Sequence, residues 1–377
     1  MLAVVRYRRM PIEVESPEQL GYDTITNNLS ESSVADRRLA DLGLDLDLDD
    51  LLLCYGDHLG EPALREAIAS DGDGLRADDV LVTPGAAAAL FCVATSLLDP
   101  GDHVVVVRTN YATNLETPRA IGADVDVVDL AFEHGWELDV EQLAPHIRPG
   151  ATRLISVTCP HNPTGTMLDV DTLHALIGLA ERSGAVLLVD ETYRDLTHGK
   201  QRLPMAAGLS TRAISVSSMS KAYGLPGLRV GWAVCRDPAL AETLLAAKEQ
   251  VLICGPTLDE AIAGRVLAAR GRILPPILDG VRAHLAIVRD WLAGQETFEW
   301  VEPTGGVVGL VRARPGIEID TERFYRVLLA DHGTYVGPGH WFELDDRWFR
   351  LGFGWPPADE LRAGLAALSA SAQAASA

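Results

Sequence analysis

From residue 76 onward, short apolar runs alternate with longer amphipathic ones. DDVLVT precedes AAAALFCVATSLL, DHVVVVR precedes NLETPRAIG, and RLISVT precedes DVDTLHALIGLAERSG; AVLLVD and AISVSS come next. Val/Ile/Leu runs this short, without the alternation of a strand that wets one face, predict strands covered on both faces. The amphipathic spans between them predict the covering helices. The fold class that follows is α/β, a three-layer, mostly parallel sheet. Residues 80–98 are uncharged over 19 positions, long enough to suggest a membrane span. VTPG interrupts the run, which therefore reads as a buried strand followed by a core helix.

After Gly231 the pattern changes to long Ala/Leu/Arg helices, with 282–292 reading as one amphipathic span. TGGVVGLVRA, TYVGPG and FRLGF then read as strands among helices. The expected organisation is a large domain over 49–280 and a smaller α+β domain over 281–377, which the N-terminal segment 1–48 rejoins.

In open α/β sheets, ligands bind at the carboxyl ends of the strands. The expected strand 79–83 runs into Pro84-Gly85-Ala86-Ala87, and 104–107 runs into Arg108-Thr109-Asn110-Tyr111. Strand 153–158 is followed by Cys159-Pro160-His161-Asn162-Pro163-Thr164-Gly165, 185–189 by Asp190-Glu191-Thr192-Tyr193, and 213–217 by Ser218-Met219-Ser220-Lys221. A helix N-terminus, an aromatic ring, an amide, a carboxylate, a phenol and an amine thus converge on one edge. A parallel crossover needs a dozen or more residues, and the Gly/Pro-rich link from Lys221 to Arg229 is shorter. RVGWAVC is therefore expected to return antiparallel, bringing Arg229 back to the edge where Lys221 sits. Two cations beside Ser218, Ser220 and the free N–H groups at Gly85, Ala86 and Ala87 would make an anion cradle. Lys221 is one of only three lysines, with Lys200 and Lys248, and an amine desolvated beside such a cradle suits Schiff-base chemistry.

Formal net charge is -21, which repels nucleic acid and anionic membranes and points to small-molecule partners. The five scattered cysteines form no CxxC pair and the ten histidines no HExxH, so no metal is expected. The cysteines read as buried thiols of a cytoplasmic protein. Ser218-Met219-Ser220-Lys221 also spells SxxK, but no KTG or SDN accompanies it.

PHNPTG, VDETY and SMSKAYGLPGLRVGW, in this order, resemble the class I/II, fold-type I pyridoxal-phosphate (PLP) enzymes, chiefly aminotransferases, over about 55–350. The resemblance implies that pyridoxal 5'-phosphate is held by Lys221 as an internal aldimine, and that Lys221 then shuttles a proton. It pairs Asp190 with the pyridine nitrogen, sets Tyr193 and Asn162 on the ring oxygen, and stacks Tyr111 on the ring. It assigns the phosphate to Ser218, Ser220, Arg229 and the backbone of Gly85, Ala86 and Ala87. Tyr55 would reach a neighbouring subunit's phosphate in a homodimer, and Arg350 would grip the substrate carboxylate, with Asn162 nearby. The activity implied is transfer of an amino group from an amino acid to a 2-oxo acid; the alternative is a cyclase, lyase, decarboxylase or oxidase on the same fold. Two departures concern the substrate side: NNLSESSVADRR at 27–38 replaces a Gly-Glu-Pro-like segment, and Thr109 replaces a strand-end proline. Glu31 and Glu116 are candidates for facing a basic side chain, against the plainer expectation of two solvated carboxylates.

Overall fold

A computed structural model describes residues 5–108 and 111–376; Thr109 and Asn110 lie outside the described residues. The main sheet contains β1 (Val80–Thr83), β2 (His103–Val107), β3 (Asp124–Val128), β4 (Thr152–Thr158), β5 (Val186–Asp190), β6 (Ala213–Ser218) and β7 (Gly231–Cys235). Their order is β1-β7-β6-β5-β4-β2-β3. The α/β expectation holds, and β7 is antiparallel to both β6 and β1 while the other pairs are parallel.

The valine run of β2 shows why such strands form. Val104 and Val106 pack into a core with helix Gly85–Leu97, and Val105 and Val107 into another with helix Val170–Ser183. Both faces are dry, so every position is apolar. The edge strand β3 carries Asp124 and Asp126, which pair with Arg148, and such charges discourage further strand addition. The uncharged run 80–98 is β1 followed by helix Gly85–Leu97. Among the described residues, no helix is long and apolar enough to cross a membrane.

The second sheet contains β8 (Phe298–Trp300), β9 (Val308–Ala313), β10 (Gly337–Pro338) and β11 (Trp348–Gly352), in the antiparallel order β10-β11-β9-β8. Asn27–Asn28 pairs in parallel with Thr334–Tyr335, which stitches the N-terminal segment to this part of the molecule. The helix expected over 282–292 is longer, Arg270–Ala293, and contains Pro275 and Pro276. Residue 280, the expected boundary, lies inside it. Ile273, Ile277, Val281, Leu285, Val288 and Leu292 form its buried stripe. At roughly 1.5–3 kcal/mol per buried side chain, that stripe outweighs the roughly 3 kcal/mol cost of each interior proline.

Candidate active site

A cleft of about 530 Å³ opens at the carboxyl ends of β4, β5 and β6, lined by their last residues Thr158, Asp190 and Ser218. Asn162, Tyr193, Ser220, Lys221, Arg229, Tyr111, Ala86, Ala87 and Arg350 line it too, so the strand-end residues singled out in the sequence meet in one place.

Asp190 is buried at the end of β5, and its Oδ1 accepts from the Thr192 N–H (3.1 Å) and the Thr192 hydroxyl (2.6 Å). This turn fixes the carboxylate's orientation. Burial pushes its pKa up, against the lowering influence of Thr192, Asn114 and Lys221. The adjacent Glu191 serves the scaffold instead: its Oε1 accepts from the Ala206 N–H and the Ser215 hydroxyl.

Lys221 donates from Nζ to the Ser32 hydroxyl at 3.1 Å, and its carbonyl accepts from the Val34 N–H. Segment 27–38, whose sequence departs from the family pattern, thus lies against the lysine. The other two lysines are used elsewhere, Lys248 Nζ donating to the His58 carbonyl and Lys200 Nζ to that of Met167.

At the other end of the cleft, Arg229 sits in a left-handed conformation (φ 52°) two residues before β7, not on the strand as expected. Its guanidinium packs over Gly85, where a Cβ would come within 2.6 Å of Nη2. A Cβ on Gly231 would meet the Ala86 nitrogen at 2.4 Å. Two glycines therefore let a cation and a strand close on the first turn of helix Gly85–Leu97, whose N–H groups lack intrahelical partners. The Ser218 and Ser220 hydroxyls, 2.7 Å apart, complete a cradle suited to a phosphate.

Arg350, on β11, is 3% exposed. Its Nη1 donates to Asn162 Oδ1 (3.2 Å) and its Nη2 to the Ser30 carbonyl (2.6 Å), while Nε is buried without a partner. Asn162 in turn donates from Nδ2 to the Tyr193 hydroxyl at 3.3 Å. A buried cation satisfied only by neutral groups is costly and fits an anionic ligand group.

The loop holding Asn162 is anchored by His161, whose Nε2 lies 2.7 Å from the Arg108 carbonyl and Nδ1 2.8 Å from the Thr164 hydroxyl. Nε2 must carry a proton, and burial pushes the pKa down to about 4, so the ring is neutral at pH 7. The unfolded chain then binds the extra proton first, so stability falls as pH drops below about 6.5. Between pH 7.5 and 5 this ring alone should cost about 2 kcal/mol. Urea unfolding of a His161→Asn variant should show a correspondingly shallower pH dependence; an unchanged slope refutes the assignment.

One candidate, Glu116, is not among the residues that line the cleft. Glu116 pairs with Arg119, which also binds Glu343, away from the substrate side. Tyr55, expected to reach a neighbouring subunit, is 84% exposed rather than packed in the core. Glu31, by contrast, does line the cleft. Cys54, expected buried, is exposed, while Cys92, Cys159 and Cys235 are buried. Sequence reasoning missed Ser32, Thr192 and the cover formed by helices Pro11–Val14 and Pro17–Leu20, from which Glu13 and Glu18 reach the cleft. Proline at the first position of each helix was the available signal.

The cradle, the buried acid beside an amine and the half-satisfied arginine fit the phosphate, ring and substrate carboxylate of a pyridoxal-phosphate site. Comparison with known proteins agrees. The sequence profile of the family described as "Aminotransferase class I and II" matches residues 30–368. Capreomycidine synthase of Streptomyces vinaceus is 34% identical over 324 residues, 86% of this chain and 82% of the relative. Arginine–pyruvate transaminase AruH of Pseudomonas aeruginosa is 31% identical over 299 residues, 76% and 74% of the two chains. The crystal structure of the PLP-dependent cyclase OrfR superposes with a TM-score of 0.88 at 32% identity, covering 98% of each chain. The chain belongs to the class I and II aminotransferases, a PLP-dependent transferase of fold type I.

Proposed function

We propose that this protein transfers the amino group of an amino acid to a 2-oxo acid, and that Lys221, Asp190 and Arg350 carry the reaction. The observation that supports this reading is their convergence on one cleft. Pyridoxal phosphate, when bound, supplies an aldehyde that takes up the amino group and a ring that accepts negative charge from the substrate's α-carbon. In this reading the Lys221 amine holds the cofactor and then carries the α-proton, and Ser32 orients that amine. Asp190 keeps the ring nitrogen protonated. Asn162 and Tyr193 would be the hydrogen-bonding partners of the ring oxygen, Tyr111 would contact the ring, and Ser218, Ser220, Arg229 and the N–H groups of Gly85, Ala86 and Ala87 would hold the phosphate. Arg350 pairs with the substrate carboxylate through Nε and its outer nitrogens.

The large domain, 49–280, would carry the cofactor groups, while 1–48 and 281–377 would contribute Ser32 and Arg350. A homodimer fits the exposure of the apolar side chains of Leu52, Leu53, Tyr55, Val251 and Ile253, which a second copy would cover while receiving Tyr55. Free thiols at all five cysteines support a cytoplasmic setting, and the charge of -21 argues against nucleic-acid or membrane partners.

A second reading, ring closure without transfer to a 2-oxo acid, is favoured by the likeness to the cyclase OrfR. One experiment separates the two. Purified holoenzyme, first shown by sedimentation to be a dimer, is mixed with an amino-acid panel and then a 2-oxo acid. Loss of the visible band on amino-acid addition, its return with the 2-oxo acid, and formation of a new amino acid establish transfer. Consumption of the amino acid with no amino group appearing on the 2-oxo acid refutes transfer and favours cyclisation.

A further inference from the structure

Segment 30–32 crosses the cleft under two constraints. Arg350 holds the Ser30 carbonyl, and Lys221 holds the Ser32 hydroxyl. Between them, the Glu31 carbonyl packs so closely on β11 that a Cβ at Gly352 would lie 2.0 Å from it. The Glu31 side chain lines the cleft and accepts, at 3.4 Å, from the Tyr22 hydroxyl. Glu18 lines the same cleft from the N-terminal cover. Among the described residues neither carboxylate forms an ion pair. Arg9, the cation at that mouth, donates instead to the Glu13 carbonyl and Gln19.

The independent sign of a ligand is Arg350 itself, nine-tenths buried with Nε unpartnered in the same cleft, which calls for a carboxylate. One peptide unit therefore separates the backbone held by an unsatisfied cation from an unpaired anion. A ligand answering both is zwitterionic along its length, with a carboxylate at one end and a positive charge at the other. We propose that Glu31, seconded by Glu18, reads a positively charged side-chain terminus, so that the substrate is an amino acid ending in a guanidinium or ammonium group. This rests on the preceding reading only in taking an amino acid as the ligand. A neutral side chain would bring no positive charge to offset the desolvation of Glu31 in this narrowed, partly dry space, and that cost is what discriminates. Burial holds the Glu31 pKa above the usual carboxylate range, with Glu18 adding to the rise and Lys221 and Arg350 opposing it. An arriving cation would add to the second pair and favour the ionised form.

The test uses two compounds that lack the α-amino group and so cannot react, 5-guanidinopentanoate and 5-ureidopentanoate, nearly equal in shape and differing in charge. Calorimetry on the holoenzyme should give a Kd about tenfold lower for the guanidino compound. Glu31→Gln should bring the ratio to within about twofold, and Glu18→Gln should reduce it less. Equal dissociation constants on the wild-type protein, no measurable binding of the guanidino compound, or a ratio that Glu31→Gln leaves unchanged would each overturn the proposal. Turnover of arginine against citrulline with a 2-oxo acid is measured separately. Discrimination in binding without amino transfer would sink the transfer reading and leave this inference standing.

Discussion

Lys221→Ala is expected to lower kcat by at least about 10³-fold, because it removes the group proposed as both covalent anchor and proton carrier. Among the three lysines only Lys221 lines the cleft; Lys200 and Lys248 are engaged by the Met167 and His58 carbonyls. Borohydride reduction of the wild-type holoenzyme should therefore fix the cofactor's mass on the Lys221 peptide alone, and on no peptide of the variant. Label on Lys200 or Lys248, or wild-type turnover by the variant, would remove Lys221 from its role. Loss of the small donor contact to Ser32 leaves a hydroxyl at the cleft edge, which water can satisfy, so the fold should survive.

Asp190→Asn is expected to keep the cofactor bound and yet lower kcat by roughly 10²–10³-fold, the scale for deleting one preorganised charge at a reacting centre. The substitution retains an Oδ1 acceptor for the two Thr192 donors, so the turn at the end of β5 has no reason to change. What it loses is a negative charge able to keep a proton on a ring nitrogen. Thermal unfolding and cofactor content serve as controls. A variant with more than half the wild-type kcat would show that Asp190 is a structural acid.

Much of this architecture was legible because the physics behind it is local. Short Val/Ile/Leu runs that must be dry on both faces announced β2, β4 and β5, and the short Gly/Pro link after Lys221 could not span a parallel crossover, which fixed the direction of β7. The site residues at the ends of β4, β5 and β6 followed from the sheet alone. Elsewhere the outcome depended on distant partners. Pro275 and Pro276 hide the start of helix Arg270–Ala293, which its buried stripe sustains. Glu116 looked as free as Glu31 until Arg119, itself shared with Glu343, came to meet it. Ser32 lies 189 positions from Lys221 in the chain, and nothing in its neighbours signals the encounter. Arg229 missed its strand by two residues, since the turn over Pro226–Leu228 ends in a left-handed residue.

Segment 27–37 is fastened at two ends to different bodies of the protein. Leu29 bonds to Tyr335 and Gly352 beside the second sheet, whereas Val34 and Arg37 bond to Lys221 and Gly224 in the loop after β6. If Glu31 reads the substrate side chain as proposed, substitutions along this strap that spare Ser32 can retune which side chain is welcomed while the phosphate cradle, Lys221 and Asp190 stay untouched. A lineage could thus change its diet by rewriting a dozen residues near the beginning of the chain, and relatives that share the cofactor groups need not share substrates.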